Sequence, residues 1–217
     1  MMYPKILKTS ALFLNMNGEE TEKALEVFNA EFVSYKKGEC LHKPYSEMNR
    51  FGLVLSGSVQ ACADDIDGNR MIMAEVSPGM TFGESLCYLK IKDSPVYICA
   101  TENSEILWLS LEKLYSGFPD GFLSCLERRF AEMLAERTLS MNDRIQVLSK
   151  IGIRNKLMTY FGQMTQKSGS DTFTIPVNRE DLAVYIGTDR SALSREMSKM
   201  KKEGIIDYYR NTVRIIR

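Results

Sequence analysis

The sequence predicts an α+β chain: a barrel or sandwich of short antiparallel strands, then one long helix, then a winged helix-turn-helix. Three observations predict it. From Phe32 to about Leu111, short alternating or apolar runs are separated by turn residues, the pattern of an antiparallel sandwich or barrel. From Phe122 to Lys150, apolar residues recur every three or four positions and nothing breaks a helix. From Asn178 to Ile216, a cap, a short helix, a glycine, a second cap, a second helix and two strand-like runs follow in order.

The elements follow in chain order. The first thirty residues read as short helical pieces, with Leu12, Leu25, Val27 and Phe28 apolar and Glu19 to Glu22 at a helix start. Strand-like runs are Phe32–Tyr35, Phe51–Leu55, Val59–Ala63, Arg70–Val76, Val96–Ala100 and Ile106–Leu109. Between them stand turns such as Lys37-Gly38-Glu39, Ser56-Gly57-Ser58 and Ser77-Pro78-Gly79. Asp65-x-Asp67-Gly68-Asn69 lacks the bidentate glutamate of a calcium loop and reads as a hairpin turn.

The long helix carries Leu123, Leu126, Phe130, Leu134, Met141, Ile145 and Leu148 along one seam. A narrow seam over several heptads calls for a partner helix, and the same helix of a second subunit is the simplest one. The competing reading packs the seam on the chain's own barrel. Ile151 to Gln166 reads as a further amphipathic helix, residues 167–171 as a polar loop and residues 173–177 as a short strand. The expected divisions are a barrel at 1–118, the dimerisation helix at 119–149 and the DNA-binding domain at 150–217.

Asn178 is an N-cap followed by Glu180 and Asp181, and the first helix is read as Arg179 to Ile186. Gly187 ends it, because a small residue is needed where two helices meet steeply and glycine accepts positive φ. Asp189 caps a second helix from Arg190 to about Lys202, with Leu193, Met197 and Met200 inward. Ala183, Gly187 and Leu193 keep the spacing of small, glycine and apolar positions in a helix-turn-helix. Two strand-like runs around Arg210-Asn211 read as a wing. On the outer face of the second helix, Arg190, Ser191, Ser194 and Arg195 are assigned to base readout and Lys199 and Lys202 to phosphates. Arg179 and the wing residue Arg210 complete the expected DNA contacts.

Charge agrees with this division. The 217 residues are formally neutral, yet Lys150–Arg217 carry a net +6 and the rest a net −6, as expected of a nucleic-acid-binding module on an acidic body. No apolar run has the length of a bilayer span and residues 1–10 do not resemble a signal peptide, so a cytoplasmic protein without membrane contact is expected. The five cysteines are scattered singly, without the paired spacing of a zinc or iron–sulfur site, and read as half-buried thiols; a redox role for Cys87 or Cys125 stays open. The single histidine, His42, reads as a surface turn residue and offers neither a haem ligand nor a metal cluster. No metal site and no catalytic constellation are expected, so a cupin-like enzyme is the disfavoured alternative.

The order of barrel, long helix and winged helix resembles the cyclic-AMP receptor protein and fumarate–nitrate reductase regulator (Crp/Fnr) family over essentially the whole chain. The residues that carry the resemblance are Lys37-Gly38-Glu39, Val54 to Val59, the Asp67-Gly68-Asn69-Arg70 hairpin, Pro78 to Leu86 (similar to the start of the phosphate-binding cassette) and Gly187 to Glu196 (similar to the recognition helix). The resemblance implies a double-stranded β-helix, or jelly-roll, barrel like that of cyclic-nucleotide-binding domains. It also implies a dimer that binds palindromic promoters and recruits or blocks RNA polymerase. An effector would sit among Phe82, Gly83, Glu84, Ser85, Leu86, Ser94, Phe130 and Leu134. Two positions depart from the pattern. Where the cassette has an arginine followed by a small hydroxyl residue, this chain has Asp93-Ser94; a carboxylate cannot pair a cyclic phosphate, so no cyclic nucleotide or other cofactor is assigned. Where many members have glutamate, this chain has Ser191, so a different base preference is expected. The function read from the sequence is a dimeric DNA-binding regulator whose barrel senses a small-molecule or redox signal. The alternative is a constitutive regulator whose barrel is only structural.

Overall fold

The computed structural model describes residues 5–115 and 120–216. The chain divides into two compact units, residues 1–133 and 134–217, and the division falls inside one helix.

The first unit opens with a 3-10 turn, Lys5–Thr9, and helix α1, Gly18–Val27. Asn17 starts α1 by a capping box: its side chain accepts from the Glu20 N–H, and the Glu20 carboxylate accepts from the Asn17 N–H, both at 2.9 Å. Eight strands follow: β1 Glu31–Tyr35, β2 Cys40–His42, β3 Arg50–Ser56, β4 Val59–Asp64, β5 Arg70–Val76, β6 Thr81–Phe82, β7 Tyr97–Ala100 and β8 Ser104–Ser110. They form two antiparallel four-stranded sheets, ordered β1-β8-β3-β6 and β2-β7-β4-β5. The central strands β3 and β8 are buried almost end to end, so Phe51-Gly52-Leu53-Val54-Leu55 is continuously apolar and does not alternate. Their inward side chains, with Phe28, Phe82 and Ile98, build the core. A short helix α2, Glu84–Tyr88, interrupts the strand series, and another, α3, Glu112–Tyr115, follows it.

Each strand read between residues 32 and 111 is present within two residues of its expected ends, whereas the strand read at 173–177 is found at Thr172–Thr174. The Asp65–Asn69 segment is a turn, in which the Asp65 carboxylate accepts from the N–H groups of Asp67 and Asn69 at 2.9 Å. His42 is a correction. It lies in β2, 8% exposed, with Nε2 buried and without a hydrogen-bond partner, and burial lowers its pKa. Its turn-like neighbours Lys43-Pro44 belong to the following loop.

Helix α4 spans Gly121–Leu148. Its apolar seam has two fates. Leu126, Phe130 and Met133 are buried in the first unit's core, with Phe130 5.6 Å from the Phe51 ring, as the reading of self-packing on the barrel had it. Met141, Ile145 and Leu148 are exposed, at 60%, 61% and 40%.

The second unit adds α5 Ile153–Ser168, β9 Thr172–Thr174, α6 Arg179–Ile186, α7 Arg190–Lys202, β10 Ile206–Tyr209 and β11 Thr212–Ile215. The three strands form one sheet, β10-β11-β9. The core gathers Val147 of α4, Leu157 and Phe161 of α5, Phe173, Leu182, Ile186, Leu193, Met197, Met200 and Val213. No helix among the described residues is long and apolar enough to cross a membrane.

Candidate nucleic-acid interface and sensor domain

Helix α6 begins where the Asn178 side chain accepts from the N–H groups of Glu180 and Asp181, at 2.8 and 2.9 Å. It ends at Gly187, whose φ is +68°. A β-carbon there would come 3.1 Å from Leu148 Cδ2, and the Lys156 ammonium donates to the last carbonyl, Ile186 O, at 3.0 Å. Gly187→Ala is therefore expected to cost about 1–2 kcal/mol from the left-handed backbone. Gly187→Asn, which tolerates that conformation better, should cost less. Thermal denaturation of the two variants tests this, and an alanine variant as stable as the parent would count against it.

Asp189 caps α7. Its carboxylate accepts from the Ala192 N–H at 2.8 Å and from the Ser191 hydroxyl at 2.5 Å. These bonds, Ser191 first, hold its carboxyl below the usual range, so Asp189 is ionised near neutral pH. Leu193, Met197 and Met200 are buried. Ser191, Ser194, Arg195, Ser198, Lys199 and Lys202 recur at three- and four-residue steps on the opposite face, all exposed. The last five of these line a shallow depression. Among the described residues, Arg195 and Lys202 have no carboxylate partner, while the Lys199 charge helps to lower the Glu203 carboxyl. Arg190 is exposed but stands 3.8 Å from Glu180.

Arg179 has a different place from Arg195. It is half-buried, donates to the wing carbonyl Arg210 O at 2.8 Å, and stacks over the Tyr208 ring at 5.2 Å; burial pulls its pKa down. It braces the wing. Arg210 itself is exposed at the turn between β10 and β11, with φ +51°. Lys201 ties α7 to the same strand through Asp207, 2.6 Å away.

Sequence reading missed Arg154. Its guanidinium bridges α5 to α7, donating to Glu196 at 2.7 Å and lying 2.7 Å from Glu203, whose carboxyl it holds below the usual range. The available signal was two acids seven residues apart on a helix otherwise rich in lysine.

The expected effector residues are dispersed. Phe82 is buried edge-on to Trp108 at 5.4 Å. Gly83 has φ +78°, with Met48 packed where a β-carbon would go. Glu84 is 3% exposed and its carboxyl accepts a hydrogen bond from Thr81 Oγ1. Thr81 Oγ1 lies 3.6 Å from Met133 Sδ on α4. Ser85 is exposed and Leu86 half-buried. Ser94 is buried, its carbonyl accepting from the Tyr45 N–H at 2.7 Å. Phe130 is buried against Phe51 and Tyr88, and Leu134 falls in the second unit. At the expected phosphate-pairing position stands exposed Asp93, and Glu84 is already engaged; these residues do not fit a cyclic phosphate. A cavity of about 690 Å³ lies elsewhere in the first unit. Asn29, Asn49, Arg50, Cys87, Tyr88 and Tyr115 are among its lining residues, and none of the eight expected residues lines it. Burial pushes the Cys87 thiol up to about 11, which leaves almost no thiolate near neutral pH.

Two family descriptions coincide with the two halves of this geometry. Residues 32–118 match the cyclic nucleotide-binding domain and residues 155–217 match the Crp-like helix-turn-helix domain. The chain thus joins a cyclic nucleotide-binding domain to a Crp-like helix-turn-helix domain and is homologous to Crp/Fnr regulators. It is 25% identical, over 215 residues, to the cyclic AMP receptor protein of Thermus thermophilus, covering 96% of this chain and 94% of the relative. It is 22% identical to the transcriptional regulatory protein btr of Bordetella pertussis, covering 94% and 84%. Among solved structures, the catabolite activator protein of Thermus thermophilus matches with a TM-score of 0.53 at 23% identity, covering 95% of this chain and 93% of that one. DNR of Pseudomonas aeruginosa matches with 0.53 at 19%, covering 100% and 96%. These structures share the fold. The chain is thus a Crp/Fnr-type transcription regulator with a cyclic-nucleotide-binding-type sensor domain and a helix-turn-helix.

Proposed function

We propose that this chain works as a homodimer in the cytoplasm, reads a palindromic promoter site through α7, and acts on RNA polymerase under control of a small-molecule or redox signal sensed in its barrel. The observation that carries the DNA-reading part is the exposed face of α7, where Ser194, Arg195, Ser198, Lys199 and Lys202 stand together on a helix locked from behind by Arg154 and the core. Arg195 has the donor pair that matches a guanine edge, and the lysines suit phosphates. A cyclic nucleotide is not the proposed signal, given Asp93 and the engagement of Glu84. Selection of duplexes from a random pool by the purified protein tests this reading. Enrichment of a two-fold symmetric site with half-sites one helical turn apart is expected; a pool without enrichment would reject it.

The dimer reading rests on α4. Leu134, Thr138, Met141, Ile145 and Leu148 alternate at four- and three-residue steps, the spacing of a coiled-coil seam. Met141, Ile145 and Leu148 stand in solvent within the single chain. The double variant Met141→Glu, Ile145→Glu places carboxylates on that seam and is expected to sediment as a monomer where the parent sediments as a dimer. A monomeric parent, or a variant that still dimerises, would contradict the seam.

A further inference from the structure

We propose that Cys40 and Cys99, on adjacent strands of the barrel, form a reversible dithiol–disulfide pair. They are direct partners in the antiparallel register of β2 and β7. One step away, the Ala100 N–H donates to the Glu39 carbonyl at 2.9 Å and the Gly38 N–H donates to the Ala100 carbonyl at 2.8 Å. The ladder bonds therefore fall at Glu39 and Ala100, and the cysteine pair occupies the neighbouring position without backbone hydrogen bonds. In such pairs the α-carbons approach to about 4.5 Å and both side chains leave the same face of the sheet, within the span a disulfide bridges, about 4.4–6.8 Å. The flanking β7 residues Ile98 and Ala100 are buried, so Cys99 points outward. Cys40 is exposed and Cys99 half-exposed, and both are free thiols.

The two cysteines have different roles in the exchange. Cys40 is the accessible thiol; its Sγ donates to the His42 carbonyl at 3.0 Å. Burial and the adjoining Cys40 raise the Cys99 pKa, which suits a resolving thiol better than an attacking one. With a low-molecular-weight disulfide as oxidant, the Cys40 thiolate attacks one sulfur of the reagent and expels one thiolate. The Cys99 thiolate then attacks the Cys40 sulfur of the mixed disulfide and expels the second. The protein loses two protons and two electrons, and the oxidant leaves as two thiols. Cys62 and Cys87 are buried, so neither offers the reagent an open sulfur. The product would pin edge strand β2, three residues long and irregular at Leu41, to its neighbour.

The pairing is independent of the DNA-binding reading and is tested without DNA. The full-length protein is incubated with glutathione disulfide, remaining thiols are alkylated under native and then denaturing conditions, and peptides are mapped by mass. The expected result is a loss of two thiols, a linked peptide pair containing Cys40 and Cys99, and full recovery with dithiothreitol. Cys62→Ser and Cys87→Ser should keep the link and Cys40→Ser should lose it. A glutathione adduct on Cys40 without closure, a link between other cysteines, or five thiols still alkylatable would each overturn the proposal. Because the primary reading uses the unaltered chain, it does not depend on how well any variant folds.

Discussion

Arg195→Ala is expected to abolish discrimination between the selected operator and a scrambled duplex while leaving the fold intact. The side chain is exposed, has no carboxylate partner among the described residues, and sits on the face of α7 opposite Leu193, Met197 and Met200. Removing it exposes no core and strands no buried charge, so the melting temperature should stay at the parent's value. A bidentate arginine–guanine contact discriminates by about 1–3 kcal/mol per base, roughly five- to 150-fold, and a two-fold symmetric dimer makes the contact twice. The comparison is Lys202→Ala, which should weaken selected and scrambled duplexes alike and reduce the salt slope by about 1. Competition shifts at two salt concentrations separate the two. An unchanged operator-to-scrambled ratio in the arginine variant would remove Arg195 from base readout.

Phe161→Ala is expected to be the most destabilising single change in the second unit, at about 3–5 kcal/mol. Phe161 is fully buried on α5, 5.7 Å from the Phe173 ring and 6.1 Å from that of Tyr160. The benzyl group packs from α5 against Phe173 of β9 within the unit's single core cluster. A domain of this size has little more than about 5–15 kcal/mol in total, and each kcal/mol shifts its midpoint by about 4–8 °C. The chain offers a clean control. Its one tryptophan, Trp108, lies in β8 of the first unit and is 8% exposed, so its fluorescence follows the barrel alone. The helical circular dichroism transition should fall by more than about 10 °C while the tryptophan transition stays near the parent's. A fall of only a degree or two would show that the core does not depend on this ring, and coincident falls would show that the two units melt together.

The helix-turn-helix was the most legible part of the sequence, because its signals are local. Asn178, Gly187 and Asp189 each act through backbone groups within four residues, so the element ends could be read without any tertiary contact. Strands β2 and β6 escaped notice because three and two residues carry no period. His42 was misplaced for the same reason. The seam of α4 shows the limit of periodicity: it identifies which residues leave water, not what displaces the water. Leu126 and Phe130 go into the chain's own core and Met141 and Ile145 do not, yet the spacing is common to both. Cys40 and Cys99 are 59 positions apart, and only the register of two strands makes them neighbours. The first unit's cavity is assembled from β3, α2, β8 and α3 with the segments after α1 and before β3, a convergence that no linear motif encodes.

The cap of α7 decides more than where the helix begins. A serine hydroxyl has one proton to give, and Ser191 gives it to Asp189. What Ser191 then turns outward is oxygen lone pairs, so this neutral side chain behaves as an acceptor. A base edge meeting it must bring the hydrogen, which in the major groove means the amino group of cytosine or adenine. Beside the glutamate that the resemblance leads one to expect at this position, a serine so oriented offers an acceptor without the charge and with a reach two bonds shorter. The ionised partner that enforces this orientation is the residue that starts the helix.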